Sequence, residues 1–453
     1  MSIFGKIGRL IKNNLPLLTV ILGSFLASFL LFFITLNPVL AVIALFLPLL
    51  LYFSIEKYRL VWYFILLSLF FMGNTSIAFG ISWSEIGLFC LALISWLKLS
   101  SEKINLFKNP IFWLFLLISI LSLSHYLFRF FTQTSNNQEL TKISLSFFCY
   151  GILATFAGRF FRSKNDRSLL LKTIFYSGLF LSIIEFFKNL PTAGSKIGMF
   201  FSLAKGQETG NVIPVVIDSG FDFHSNSILI GISIIAGVSM VLINHQRKLT
   251  LNWIKLPWSN FYFFIVFELL VLLIKGEKML VLTLIFSVLW MLILSRIKKA
   301  VLILVSVFGL LIATNEKFIL KAIEKALPFK DFFSSTFVAS EKISSGFFVI
   351  WNVAGILTLL IFLLILKTQF SRIYYSYRTS DGEKRAWLIG LIGLFIFFLI
   401  GGFFSANIIF GPASFLFWTL FGLCPVLENF QAVRLMSRSS FFNKSVVLIK
   451  SLF

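Results

Sequence analysis

Runs of about 20 apolar residues recur along this chain, separated by short polar and charged clusters. Coiled as a helix, such a run crosses the roughly 30 Å hydrocarbon core of a bilayer. Only a helix or a closed barrel satisfies its own backbone there, and the ten-residue alternation of barrel strands is absent. Of 453 residues, 58% are hydrophobic and 13% charged, whereas soluble domains carry about a quarter charged. The chain therefore reads as all-α: a polytopic integral membrane helix bundle, one membrane domain over 1–453. About fourteen transmembrane helices are expected, N-in/C-in. They fall near 15–36, 38–55, 60–73, 82–97, 110–128, 143–157, 168–187, 225–243, 259–274, 279–295, 300–314, 347–366, 387–404 and 407–425. The first is expected to be retained, being too long for a signal peptide and lacking a small-residue cleavage site.

The formal net charge is +22. In a soluble protein that would suggest nucleic acid. Here it is read as a topological signal, with membrane lipids and not nucleic acid as the partner. With the N-terminus inside, 27 of the 40 lysines and arginines fall on the inner side, as the positive-inside rule requires. Two long outer loops follow, 188–224 and 315–346, the second with charges spaced for a short surface helix over 317–326. The inner loops 244–258 and 367–386 are basic. The tail 426–453 mixes Arg434, Arg438, Lys444 and Lys450 with Phe441, Phe442 and Val446, which suits a basic cytoplasmic interfacial helix. Cys90, Cys149 and Cys424 lie in apolar runs without metal-ligand spacing and read as small buried hydrophobes.

No nucleotide-binding or metal-binding motif is present, and no cofactor is expected. Four places could carry chemistry. Gly220–Ser227 opens the eighth span at its outer end, where His224 and Asn226 offer a titratable ring and an amide; a plain helix cap by Ser225 or Asn226 is the alternative. Lys275-Gly276-Glu277-Lys278 is a tight outer turn whose lysines flank a helix N-terminus, a natural anion site, or else a solvated turn with a Glu-Lys pair. His125 and Arg129, four residues apart, share one helix face at the outer end of the fifth span. Glu268 lies in mid-span, where a carboxylate costs roughly 2.5–3.5 kcal/mol on insertion scales; it must face the bundle interior, as part of a proton path or paired with a buried polar group. Glu185 and Lys188 read as surface residues capping the seventh span.

Four segments resemble the O-antigen polymerase and O-antigen ligase superfamily of bacterial envelope glycosyltransferases. Phe223-His224-Ser225-Asn226-Ser227-Ile228-Leu229 is similar to the family's outer-face signature before an apolar span, with Ser225 where proline is usual. Ile274-Lys275-Gly276-Glu277-Lys278-Met279-Leu280 resembles its Ser-Arg-Gly approach to a long apolar helix, with Glu277 and Lys278 in place of serine and arginine. Val349–Ile356 resembles the span after the family's large outer loop, and Ala406–Gly422 its closing helix. The likeness spans about 220–425 by order and spacing. Loop 315–346 departs from the ligases in carrying neither arginine nor histidine.

The resemblance implies glycosyl transfer at the outer face of the bacterial inner membrane. The donor would be a polyprenyl-pyrophosphate-linked glycan and the acceptor a sugar hydroxyl, with envelope polysaccharide-assembly proteins as partners. It makes His224 the catalytic base, with Glu277 as second candidate. Lys275, Lys278, Arg129 and His125 would bind the leaving pyrophosphate. Two other classes compete: a transporter or flippase of the same lipid-linked glycans, which would be expected to show two similar halves, and an inactive structural subunit.

Overall fold

The computed structural model describes residues 62–63, 65–68, 70, 76–78, 81–101, 109–131, 137–161, 163–190, 225–247, 258–297 and 345–427. Expected spans 15–36, 38–55 and 300–314, nearly all of the two long outer loops, and the tail beyond 427 lie outside them. The chain divides into two compact units, one of residues 1–65 and 90–105, the other of 66–89 and 106–453. The first contributes a few described residues, chiefly the second half of helix α1 (Trp83–Ser101).

The second unit holds α2 (Pro110–Phe131), α3 (Asn137–Phe160), α4 (Lys164–Asn189), α5 (Ser225–Arg247), α6 (Trp258–Lys275) and α7 (Lys278–Leu294). It continues with α8 (Gly346–Ala354), α9 (Ile356–Thr379), α10 (Gly382–Phe404), α11 (Asn407–Phe410), α12 (Pro412–Phe421) and α13 (Cys424–Leu427). Besides helices and the turns between them, the described residues include one antiparallel pair, β1 (Ser76–Ala78) and β2 (Ile81–Ser82), which matches Ser76 with Ser82 and Ala78 with Ile81.

Among the described residues four helices are long and apolar enough to cross a membrane: α4, α5 over Ser225–Ile243, α9 and α10. On α9 and α6 the faces run opposite to those of a soluble helix. On α9, Ile356, Leu357, Leu360, Leu363 and Leu364 point outward, while Thr358, Gln369 and Ser376 are buried. On α6, Tyr262, Phe263, Val266 and Leu270 are outward and Glu268 is buried. Apolar residues outside and polar ones inside suit a lipid solvent, so the architecture is that of a helical membrane protein.

Two expected spans are interrupted. Span 347–366 breaks at Gly355, whose φ of 86° lies where only glycine sits without strain; α8 ends there and α9 begins. Span 407–425 is three short helices, divided at Gly411, which precedes Pro412 at the start of α12, and at Gly422-Leu423. The expected inner loop 367–386 is instead helical to Thr379 and again from Gly382. Gln369, Ile373 and Ser376, at helical spacing, carry a buried face past the apolar run.

Rings form one core. Trp418 of α12 is fully buried and meets Phe115 of α2 edge-on at 4.9 Å and Phe417 at 5.0 Å. Tyr150 of α3, Phe362 of α9 and Phe398 of α10 stand 6.0–6.3 Å from it. Between α2 and α3 the bonding is reciprocal: Ser119 Oγ donates to the Ser144 carbonyl at 3.0 Å, and Ser144 Oγ to the Ser119 carbonyl at 2.8 Å. Such small hydroxyl residues let helices approach closely in lipid.

Candidate functional site

The ends of α4 and α6 and the starts of α5 and α7 meet at one end of the bundle. Gly276, at φ 80°, closes α6 and lets the chain reverse within two residues. Its amide bonds to the Leu273 carbonyl at 3.0 Å, and that of Glu277 to Leu272 at 3.3 Å. Glu277 stands at the N-cap of α7, yet its side chain makes no cap bond. It turns toward α5 instead, where it is buried and accepts the Ser227 hydroxyl at 3.0 Å.

Beside it lies the centre of the site, Glu185. This residue is buried near the end of α4, not on the surface as the sequence suggested. Its Oε1 accepts Asn226 Nδ2 at 2.9 Å, and its Oε2 holds Lys275 Nζ at 3.0 Å. Only 8% of either side chain is exposed. Lys188, which is 65% exposed, stands 3.9 Å away on the outer rim. Two carboxylates, two ammonium groups, an amide and a hydroxyl thus gather from α4, α5, α6 and the N-cap of α7. Lys275 is the residue most changed by this arrangement. The sequence offered it as an open cation for phosphate; the fold gives it a buried carboxylate partner.

The structure brings Lys275 and Glu277 together with Asn226 and Ser227. Lys278 opens α7 within the same turn, and its side chain lies outside the described residues, as does all of His224. His125 and Arg129 sit four apart near the end of α2, a helix packed on α3 and α9; their side chains are also outside the description. Glu268 faces protein, as expected of a mid-span carboxylate: it is fully buried, with its Oε1 2.7 Å from Ser233 Oγ.

Sequence reasoning missed Glu185. A signal was present in Gly178, Ser182 and Glu185, which fall four and then three residues apart on one face of α4. Among the described residues no group of three His, Cys, Asp or Glu could hold a metal ion.

At the opposite end, Lys164 of α4 pairs with Glu383 of α10 at 2.8 Å. Tyr377 donates to the Leu294 carbonyl at 3.1 Å and accepts Arg385 Nη2 at 3.0 Å. The starts of α4 and α10 and the ends of α7 and α9 therefore share the end away from Lys275. Comparison with family models, curated proteins and solved structures yields no match.

Proposed function

We propose that the chain is a glycosyltransferase of the O-antigen polymerase or ligase type, acting on a polyprenyl-pyrophosphate-linked glycan at the outer face of the bacterial inner membrane. The observation that carries this reading is the Glu185–Lys275–Asn226 network set against Ser227–Glu277 where α7 begins. It collects cations, carboxylates and a helix N-terminus at one end of a lipid-facing bundle, the depth at which a lipid pyrophosphate sits. In this reading that end faces outward, the Lys164 end faces the cytoplasm, and the chain makes about fourteen passes.

The acceptor hydroxyl oxygen attacks the anomeric carbon. The bond from that carbon to the pyrophosphate oxygen breaks, and the lipid pyrophosphate leaves with the electron pair. The hydroxyl proton passes to a base, His224 or Glu277. Lys278, at the start of α7, meets the charge that develops on the leaving group. Lys275 adds to that field while Glu185 fixes its direction, a role for Glu185 as a positioning residue. Arg129 and His125 would extend the anion site only if α2 presents them to the same donor.

Lys278→Ala tests the proposal. Glycan transfer, normalised to membrane protein, should fall nearly to background, while Lys278→Arg should keep much of it because charge is retained. Wild-type transfer in Lys278→Ala overturns the reading. Loss of glycan laddering on gene deletion would identify a polymerase; accumulation of lipid-linked polymer would identify a ligase. Glu268 favours a second reading, a transporter of the same lipid-linked glycans, because a carboxyl buried in a membrane bundle suits ion-coupled movement.

A further inference from the structure

Glu268 lies within the α4–α5–α6 interface with no exposed surface. Its Oε1 is 2.7 Å from Ser233 Oγ, and the same hydroxyl is 3.2 Å from the Phe175 carbonyl of α4. Oε2 is buried with no hydrogen-bond partner among the described residues. A serine hydroxyl has one hydrogen to give. Given to Phe175, it leaves the 2.7 Å contact between two oxygens to be bridged by a hydrogen from the carboxyl itself. Given to Glu268, it leaves a charge at full burial with one donor on one oxygen and nothing on the other. The neutral acid satisfies both contacts and leaves only an uncharged carbonyl oxygen without a partner, the cheaper deficit.

The surroundings agree. Glu268 forms no ion pair among the described residues. The nearest titratable groups along α4 are Lys172, Tyr176 and Glu185. Those on α6 are Tyr262 and Lys275, and on α5 His245 and Arg247 lie about three turns beyond Ser233. Gly178 makes the close contact possible: a Cβ there would overlap the Ser233 side chain and stand 3.4 Å from Glu268 Oε1. One turn further along the same face of α4 is Ser182, fully buried, its hydroxyl without a partner among the described residues. Glu185 follows within the next turn, and on α6 Lys275 stands seven residues past Glu268, about 10 Å of helix rise.

We propose that Glu268 is a proton-binding site inside the bundle, holding its proton at neutral pH. The proton comes from water and sits on the carboxyl oxygen that faces Ser233 Oγ, whose own hydrogen goes to the Phe175 carbonyl. No oxidant or second substrate is needed. The site stands on geometry separate from the glycan chemistry and holds whether the chain transfers glycans or transports them.

Infrared spectroscopy of the full chain in lipid vesicles at neutral pH tests this, since a protonated carboxyl absorbs apart from a carboxylate. The wild type should show a carboxylic C=O band that Glu268→Gln lacks. That variant should fold, because its amide can donate to Ser233 from the same place. Should it fail to assemble, Glu268→Asp decides the point by moving the band. On transfer to heavy water the band should shift as the carboxyl exchanges its hydrogen. Identical spectra for wild type and a folded Glu268→Gln would show Glu268 ionised and overturn the proposal. Loss of the band on adding sodium chloride would also overturn it, making the site one for a metal cation.

Discussion

Around Trp418, helices α2, α3, α9, α10 and α12 meet through aromatic rings; around Glu268 and Lys275, helices α4, α5 and α6 meet through a few polar side chains. In lipid neither interface gains from expelling water, because the tails are as apolar as leucine. The ring cluster holds by close packing, which sums many small attractions over Phe115, Tyr150, Phe362, Phe398, Phe417 and Phe421. The polar interface holds by a small number of pairs, each of which leaves an uncompensated group if one member is lost. The first should weaken in proportion to the volume removed. The second should fail by the pair and recover by the pair.

Trp418→Ala carries the largest expected effect. It empties the centre of the ring cluster, and by the range for buried aromatic truncations it should cost about 3–5 kcal/mol. Unfolding in detergent, followed by heat or by titration with denaturing detergent, measures it. A second truncation at Phe362 should add to the loss. A loss under about 1 kcal/mol would mean the rings are not what joins these helices.

Glu185→Ala comes next, at about 3 kcal/mol, because it strands Lys275 with 8% of its side chain exposed. The comparison is sharpened by the double variant Glu185→Ala, Lys275→Met. Removing the stranded charge should return most of the lost stability, although a further side chain has been cut. No recovery would mean that the pair is held apart from the packing and that Lys275 reaches solvent once released.

The two interfaces were not equally legible in the sequence. Apolar runs place α2, α4, α5, α6, α7 and α10 within a few residues of expectation, since length and hydropathy decide a span. The same signal is blind inside a run. Gly355 and Gly411 interrupt helices without lowering hydropathy, so hydropathy alone runs both spans straight through their breaks. Charge misled in the opposite sense between 367 and 386, where lysines and arginines decorate helices that simply continue. At the site, Lys275 and Glu277 were legible as chemistry because they stand in a tight turn. Their partners were not. Glu185 lies near the end of a span, where linear reading expects a surface residue, and its burial depends on α5 and α6 arriving from about 40 and 90 residues away. Glu268 was legible as inward-facing from the cost of a charge in lipid, but Ser233 and Gly178 as its neighbours were not.

The smallest expected effect comes from Lys164→Ala, and it isolates burial as the cause of the difference. Lys164–Glu383 and Lys275–Glu185 are ion pairs of similar length, 2.8 and 3.0 Å, each joining two helices of the bundle. The Lys164 side chain, however, is 54% exposed and that of Lys275 only 8%. Water and salt screen the first pair, and holding two long side chains in one geometry offsets much of the attraction, so the loss should be about 0–1 kcal/mol. Even that should vanish in molar salt, where the screening length falls to about 3 Å. Glu185→Ala measured under the same salt should keep its penalty, because ions do not enter an interface closed by α4, α5 and α6. If salt erases both effects alike, the Lys275 pair is solvated in the membrane-bound protein and the contrast between the two ends disappears.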